Sequence, residues 1–156
     1  ELKLLSRSSM EELRRSLADL RAPGLGERRL SETLRTFANE LGPRAKLEID
    51  LRVPAEADQL QPAVAETLWR VAQEALTNIE RHARARHATV AVTLEPRLVV
   101  LRVQDDGVGL PEDAERRPGH FGLRGVRERV EGLGGTLTFN GERGQGTVME
   151  ARLLVC

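Results

Sequence analysis

Residues 103–110, VQDDGVGL, decide how the rest of the chain is read. An apolar run over residues 98–103 stops at two carboxylates, Asp105 and Asp106, and then Gly107 and Gly109 bracket Val108. A buried strand that ends this way leaves an acid at the mouth of a core. Glycines beside it let the backbone turn sharply and approach a ligand closely. Taken alone, the same residues also suit a plain Asp-Gly β-turn, so the flanks must decide.

Upstream, residues 62–84 predict one long helix, with Pro62 suited to its first turn. Val64, Leu68, Val71, Ala72, Ala75, Ile79 and Ala83 form a continuous buried stripe along it. Glu74, Asn78 and Arg81 fall four and three apart on one edge of that stripe. An acid, an amide and a cation at a core boundary point to a site, or else to an i,i+4 hydrogen bond beside an exposed arginine. Trp69 reads as packing, and His82 projects near the stripe as a satisfied histidine. Two strands follow over residues 89–94 and 98–104, joined at Glu95-Pro96-Arg97. The second is apolar on both faces over 98–101, which predicts a central position in its sheet.

Downstream, residues 111–118, PEDAERRP, carry charge and no apolar anchor and are expected to be mobile. In GHFGLRGVRERVEGLGG, residues 119–135, Gly119 and Gly122 precede a helix with Leu123, Val126, Val130 and Leu133 inward. Glycines at a helix entry expose backbone N–H groups that, with the helix dipole, favour an anion. The alternative is that they only permit a tight entry. A hairpin over residues 136–139 and 147–154 closes the chain, and Gly144 and Gly146 ahead of Thr147 make another close-approach loop.

Ahead of all this, Met10, Leu13, Leu17 and Leu20 stripe a helix over residues 2–21 that Pro23, Gly24 and Gly26 stop. The stripe packs either on the domain itself or on a second chain in a bundle. A second helix starts near Glu27, with Leu30, Leu34, Phe37, Ala38 and Leu41 on one face, and Gly42-Pro43 is expected to end it. Leu47, Ile49, Leu51 and Val53 then alternate with charged residues as a half-buried strand.

A chain of 156 residues suits one domain plus a modest appendage. Basic and acidic residues balance at 24 each, so no overall field recruits nucleic acid or an anionic membrane. No stretch reads as a transmembrane span or signal peptide. Cys156 is the single cysteine, which excludes an internal disulfide and fits a reducing compartment. His82, His87, His120 and Cys156 lack metal-ligand spacing. Beginning at Glu1, the chain is expected to be part of something longer, with room for a membrane segment upstream.

The four signals gain force from their order. EALTNIERHA, DDGVG, GHFGL and GQGT resemble the asparagine box and three glycine boxes of the Bergerat-type ATP-binding domain. DNA gyrase, the large heat-shock chaperones, MutL and the sensor histidine kinases share that domain, and the resemblance covers roughly residues 27–155. It implies an α+β two-layer sandwich: a mixed, mostly antiparallel β-sheet covered on one face by about three helices, here preceded by an N-terminal helix. GHFGLRGVRERVEGLGGTLTF and LADLRAP are most similar to histidine kinases of the nitrate/nitrite-sensor and hexose-phosphate-sensor type. The resemblance divides the chain into residues 1–24, a remnant of the second helix of a dimerisation and phosphoacceptor domain, and residues 25–156, the catalytic domain. The helix that would carry the phosphorylated histidine is absent, so the chain is expected to bind nucleotide without phosphorylating itself.

Position by position, the resemblance implies that Asp105 accepts a hydrogen bond from the adenine amine, with Gly107 and Gly109 letting the backbone pass the base. It makes Asn78 a ligand of Mg²⁺, and Arg81 and His82 contacts to the ATP phosphates. Backbone N–H groups at Gly119, Gly122 and Leu123, and the loop of Gly144, Gly146 and Thr147, would cradle those phosphates. Glu74 would activate water slowly, act through water near the metal, or orient Asn78. The implied chemistry is γ-phosphoryl transfer to a histidine on the missing helix, for relay to a response regulator. The implied setting is the cytoplasmic domain of a homodimeric kinase, membrane-anchored or not, with no nucleic acid and no direct membrane contact. Alternatives on the same fold are a serine kinase of the anti-sigma-factor type and a gyrase/MutL-like ATPase. From another class comes a non-enzymatic interaction module.

Overall fold

The structure, a computed structural model, describes Met10, Leu13 and residues 24–109 and 121–156. In chain order these form helix α1 (Leu30–Ala45), strand β1 (Glu48–Arg52), a 3₁₀ turn (Ala55–Gln59) and helix α2 (Pro62–Asn78). A π-helical turn (Ile79–Ala83), β2 (His87–Glu95), β3 (Leu98–Asp105), α3 (Phe121–Gly132), β4 (Thr136–Gly141) and β5 (Thr147–Leu154) follow. The strands make one sheet in the order β1-β2-β3-β5-β4, parallel between β1 and β2 and antiparallel elsewhere. The three helices pack against the sheet, which gives the expected two-layer α+β sandwich.

The core lies between those layers. Val99, Leu101 and Val103 on β3 and Met149, Ala151 and Leu153 on β5 meet Leu68, Val71, Ala72 and Ala75 of α2. Strand alternation produces this arrangement, because every second residue of β5 from Thr147 to Leu153 is buried. β3 is the middle strand of the five, as its two-faced apolar run predicts.

Helix α1 differs from expectation at its end. It runs through Gly42-Pro43 to Ala45 before Lys46 turns left-handed at φ 52°. Proline in a last turn removes only one backbone bond. The left-handed cap restores another, from Leu47 N–H to Gly42 O at 2.9 Å, and delivers Leu47 to the core. At its other end α1 has no cap of its own. Asp58 of the 3₁₀ turn supplies one, accepting from Ser31 N–H at 2.9 Å and Ser31 Oγ–H at 2.6 Å. Burial pushes the Asp58 carboxyl up, but these bonds and nearby Arg29 and Arg35 outweigh it and hold the group below its ordinary value.

Most of the predicted first helix, the charged segment at 111–118, and Gly119 lie outside the described residues. Met10 and Leu13 are helical, and they are 54% and 60% exposed. Among the described residues, no helix is long and apolar enough to cross a membrane.

Candidate functional site

The site begins where β3 ends. Asp105 is only 5% exposed, yet it is a carboxylate. Its Oδ1 accepts the Gly107 N–H at 2.7 Å, and the Thr147 N–H from the facing strand also donates to it. Burial raises its pKa, and the negative neighbour Asp106 adds to that rise. The two backbone donors only partly offset them. A buried acid with unused acceptor capacity suits a ligand that brings its own N–H donor.

The glycines of the loops are there for space. A side-chain carbon on Gly146 would collide with the Asp105 carbonyl oxygen, and its φ of +80° is one that other residues avoid. The loop at 142–146 can therefore lie directly against the end of β3. It is tied there by Gly144 N–H to Val108 O at 2.8 Å. On the other side, Gly107 abuts the backbone of Ala83, and Val108 N–H donates to Ala83 O at 2.8 Å. Asp105 is thus held between the π turn that follows α2 and the β4–β5 turn.

These contacts leave a narrow cleft beside Asp105. Ala75, Ile79, Ala83, Val103 and Met149 form its apolar walls. Asn78, His82, Asp105, Gly109 and Thr147 bring the polar groups. Val103 and Met149 stand side by side in the β3–β5 register, two residues from Asp105 and Thr147 respectively, so all four side chains face the helix layer. An apolar slot ending in one buried acceptor suits a ligand that pairs apolar faces with an N–H donor. Sequence reading assigned Ala75, Ile79 and Ala83 to the core and left Val103 and Met149 without a role. Period-two alternation back from Asp105 and on from Thr147 was the signal that could have found those two.

The predicted single helix over 62–84 is corrected here. The α-helix stops at Asn78 and residues 79–83 form a π turn, after which Arg84 is left-handed at φ 49°. A π turn closes from i to i+5, so residues four apart stay aligned while residues three apart separate. His82 accordingly lines the cleft with Asn78, while Arg81 is exposed and outside its walls. The Asn78 Nδ2 is buried and lacks a hydrogen-bond partner among the described residues.

The other predicted site residues are distributed around this slot. Gly122 lies inside the first turn of α3 rather than ahead of it, and a side-chain carbon there would collide with the Glu74 carboxylate. The acid on α2 therefore rests on the positive end of α3. Leu123 is 1% exposed, its side chain part of the core, so any role toward phosphate falls to its backbone. Gly144 is exposed outside the walls of the cleft.

A cation would find an amide oxygen at Asn78. Among the described residues no cluster of three or more His, Cys, Asp or Glu could hold a metal unaided. A single amide oxygen would suit Mg²⁺ carried in on a polyphosphate, whose own oxygens would complete the coordination.

Residues 63–155 match the family model described as histidine kinase-, DNA gyrase B-, and HSP90-like ATPase. The chain is similar to the signal transduction histidine-protein kinase/phosphatase UhpB of Salmonella typhimurium, at 35% identity over 139 residues, which is 87% of this chain and 27% of that protein. It is 39% identical over 121 residues to the nitrate/nitrite sensor protein NarQ of Escherichia coli, covering 77% of this chain and 20% of that one. The chain thus spans well under half the length of these relatives. Among solved structures, the histidine kinase domain of the Erythrobacter litoralis EL346 blue-light activated histidine kinase superposes with a TM-score of 0.65 at 24% identity. It covers 80% of this chain and 60% of that domain.

Proposed function

Because the chain belongs to the histidine kinase-, DNA gyrase B-, and HSP90-like ATPase family, we propose that it is the ATP-binding catalytic unit of a two-component sensor histidine kinase. Its cleft holds adenine, and the kinase transfers the γ-phosphoryl group to a histidine of a dimerisation helix outside this chain. The observation that carries this reading is the convergence of Asp105, Asn78, Gly109 and Thr147 on one apolar slot. Asp105, an acceptor held in its rotamer by two backbone donors, takes the exocyclic amine of adenine and offers no donor to the carbonyl of guanine. Val103, Met149, Ile79 and the two alanines desolvate the ring faces.

The phosphates leave toward Asn78 and His82. Asn78, which lines the slot, would hold the Mg²⁺ through its amide oxygen. When bound, Mg²⁺ neutralises charge on the transferring group. Backbone N–H groups at Gly122 and Leu123 and the loop of Gly144 and Gly146 would complete the cradle. Arg81, outside the slot, serves the phosphate end only if the side chain swings back when nucleotide binds. Glu74, resting against Gly122, positions the first turn of α3. Residues 1–24 are the tail of the second dimerisation helix, and a response regulator receives the phosphoryl group from the completed kinase.

The test supplies the missing histidine in trans. The chain is mixed with the dimerisation helix pair of the longer protein and radiolabelled Mg-ATP. Label that appears on the helix pair and is lost in acid is the expected result, since phosphohistidine is acid-labile. Acid-stable label would indicate a serine kinase, and no calorimetric binding of ATP would remove the nucleotide from the site altogether.

A further inference from the structure

We propose that Asp106, His87 and Glu48 form a clamp that positions the Asp105 loop for nucleotide, and that the clamp loosens as pH rises. The inference rests on the nucleotide-binding reading and assigns roles to three residues outside the cleft.

Asp106 follows the adenine-recognising acid in sequence, but it belongs to a different network. Its Oδ1 accepts the backbone N–H groups of Arg86 at 2.8 Å and His87 at 2.9 Å, while its Oδ2 lies 2.9 Å from His87 Nδ1. Its own N–H donates to His87 O at 3.2 Å. On the far side of the ring, His87 Nε2 lies 3.3 Å from Glu48 Oε2, and Glu48 N–H donates to Arg86 O at 2.9 Å. One carboxylate thus ties the exit of β3 to the entry of β2, and the imidazole extends the tie to β1. The mechanical consequence falls on the cleft. Arg86 lies three residues after Ala83, a wall of the slot, and Asp106 lies one residue after Asp105. Fixing Arg86 to Asp106 sets the spacing between the two walls. It also keeps Gly107 N–H and Val108 N–H on their acceptors, Asp105 Oδ1 and Ala83 O.

The charges that act on His87 are Asp106 from the loop after β3 and Glu48 from β1. Arg86 directly precedes it, ahead of the start of β2. The hydrogen bond to Asp106 raises the imidazole pKa against the opposing effect of burial, and the Asp106 and Glu48 charges raise it further. Asp106, chiefly through its bonds to the backbone and ring of His87, is lowered to about 2. Asp106 therefore stays charged throughout the neutral range, and His87 is the group that changes. A raised folded pKa means that the cationic ring holds both carboxylates at acid pH. This contribution fades as pH rises through the folded value. His87 is 62% exposed, so the expected effect on affinity is modest, about two- to five-fold.

The experiment measures ATP affinity by calorimetry from mildly acid to mildly alkaline pH for the wild-type chain and for His87→Gln, His87→Arg and Asp106→Asn. Hydrogen exchange at Val108 N–H is followed in parallel without nucleotide. Comparison with His87→Gln at each pH cancels the titration of ATP itself. The expected result is a wild-type advantage of about two- to five-fold at acid pH that vanishes at alkaline pH. His87→Arg should keep that advantage throughout, and Asp106→Asn should lose it everywhere. Protection of Val108 N–H, the intrinsic exchange rate at each pH relative to the observed one, should fall with pH in the wild type alone. Parallel pH profiles for wild type and His87→Gln, in ATP affinity and in Val108 protection alike, would overturn the clamp while leaving nucleotide binding intact. Absence of ATP binding by the wild type at every pH would overturn the site reading. The Val108 exchange would then still report on the clamp by itself.

Discussion

Replacing Asp105 by asparagine separates recognition from folding. The carboxylate is almost fully buried, and its pKa is raised because burial outweighs the donors at Gly107 and Thr147. The sign follows from linkage. A raised folded pKa adds stability below the unfolded value and loses it as pH climbs through the folded one, so at neutral pH the charged group weighs against the fold. A neutral isostere that keeps its one oxygen on the Gly107 and Thr147 N–H groups should therefore melt, without nucleotide, no lower than wild type. ATP binding should behave in the opposite way. The amide presents a donor where adenine also presents one, and the charge-assisted hydrogen bond, worth about 1.5–3 kcal/mol, disappears. Affinity should fall about ten- to a hundred-fold, and the preference for ATP over GTP should collapse. Calorimetry with both nucleotides, alongside thermal melts with and without ATP, reads all of this from one preparation. Asp105→Asn binding ATP within two-fold of wild type would refute the adenine assignment. A large drop in its nucleotide-free melting temperature would refute the claim that the acid is held at a cost to the fold.

Asn78→Ala should leave the nucleotide-free melting temperature unchanged or slightly higher, because it removes a buried donor without a described partner. Calorimetry should show that it abolishes the Mg²⁺ dependence of ATP binding, and persistence of that dependence would take Asn78 off the metal. Gly146→Ala forces a side-chain carbon onto the Asp105 carbonyl at a φ of +80°. It should cost about 1–3 kcal/mol in denaturant unfolding and weaken ATP binding as well. Asp58→Ala removes the borrowed cap of α1 and should cost about 0.5–2 kcal/mol. Because the folded pKa of Asp58 is lowered, the wild-type contribution should vanish as pH falls through that value, and the two proteins should converge in acid melts.

Much of the fold was legible in advance because its signals are periodic. Three buried stripes at helical spacing, and alternation in the strands, are local consequences of burying one face of each element. The central place of β3 followed from its two-faced apolar run. Less legible were the features in which one part of the chain compensates for another. Pro43 stands inside α1 because a left-handed Lys46 and buried Leu47 offset the lost bond. The first turn of α1 is capped by an acid 27 residues away.

The site divides along the same line. The sequence alone established which chemistry was available: a carboxylate ending a strand, an amide on a helix edge and glycines where backbone must approach backbone. Those are properties of residue types at short spacing, carried by DDGVG and EALTN. Only the tertiary structure decided who shares the slot. The π turn after Asn78 keeps His82 at its edge and turns Arg81 away, and the β3–β5 register brings Val103 and Met149 beside Asp105. It also separated the two adjacent acids, sending Asp105 inward and Asp106 to the backbone of β2. Neither outcome is encoded within a window of a few residues. Each depends on which backbone donors distant segments leave free, and that is settled only when the layers pack.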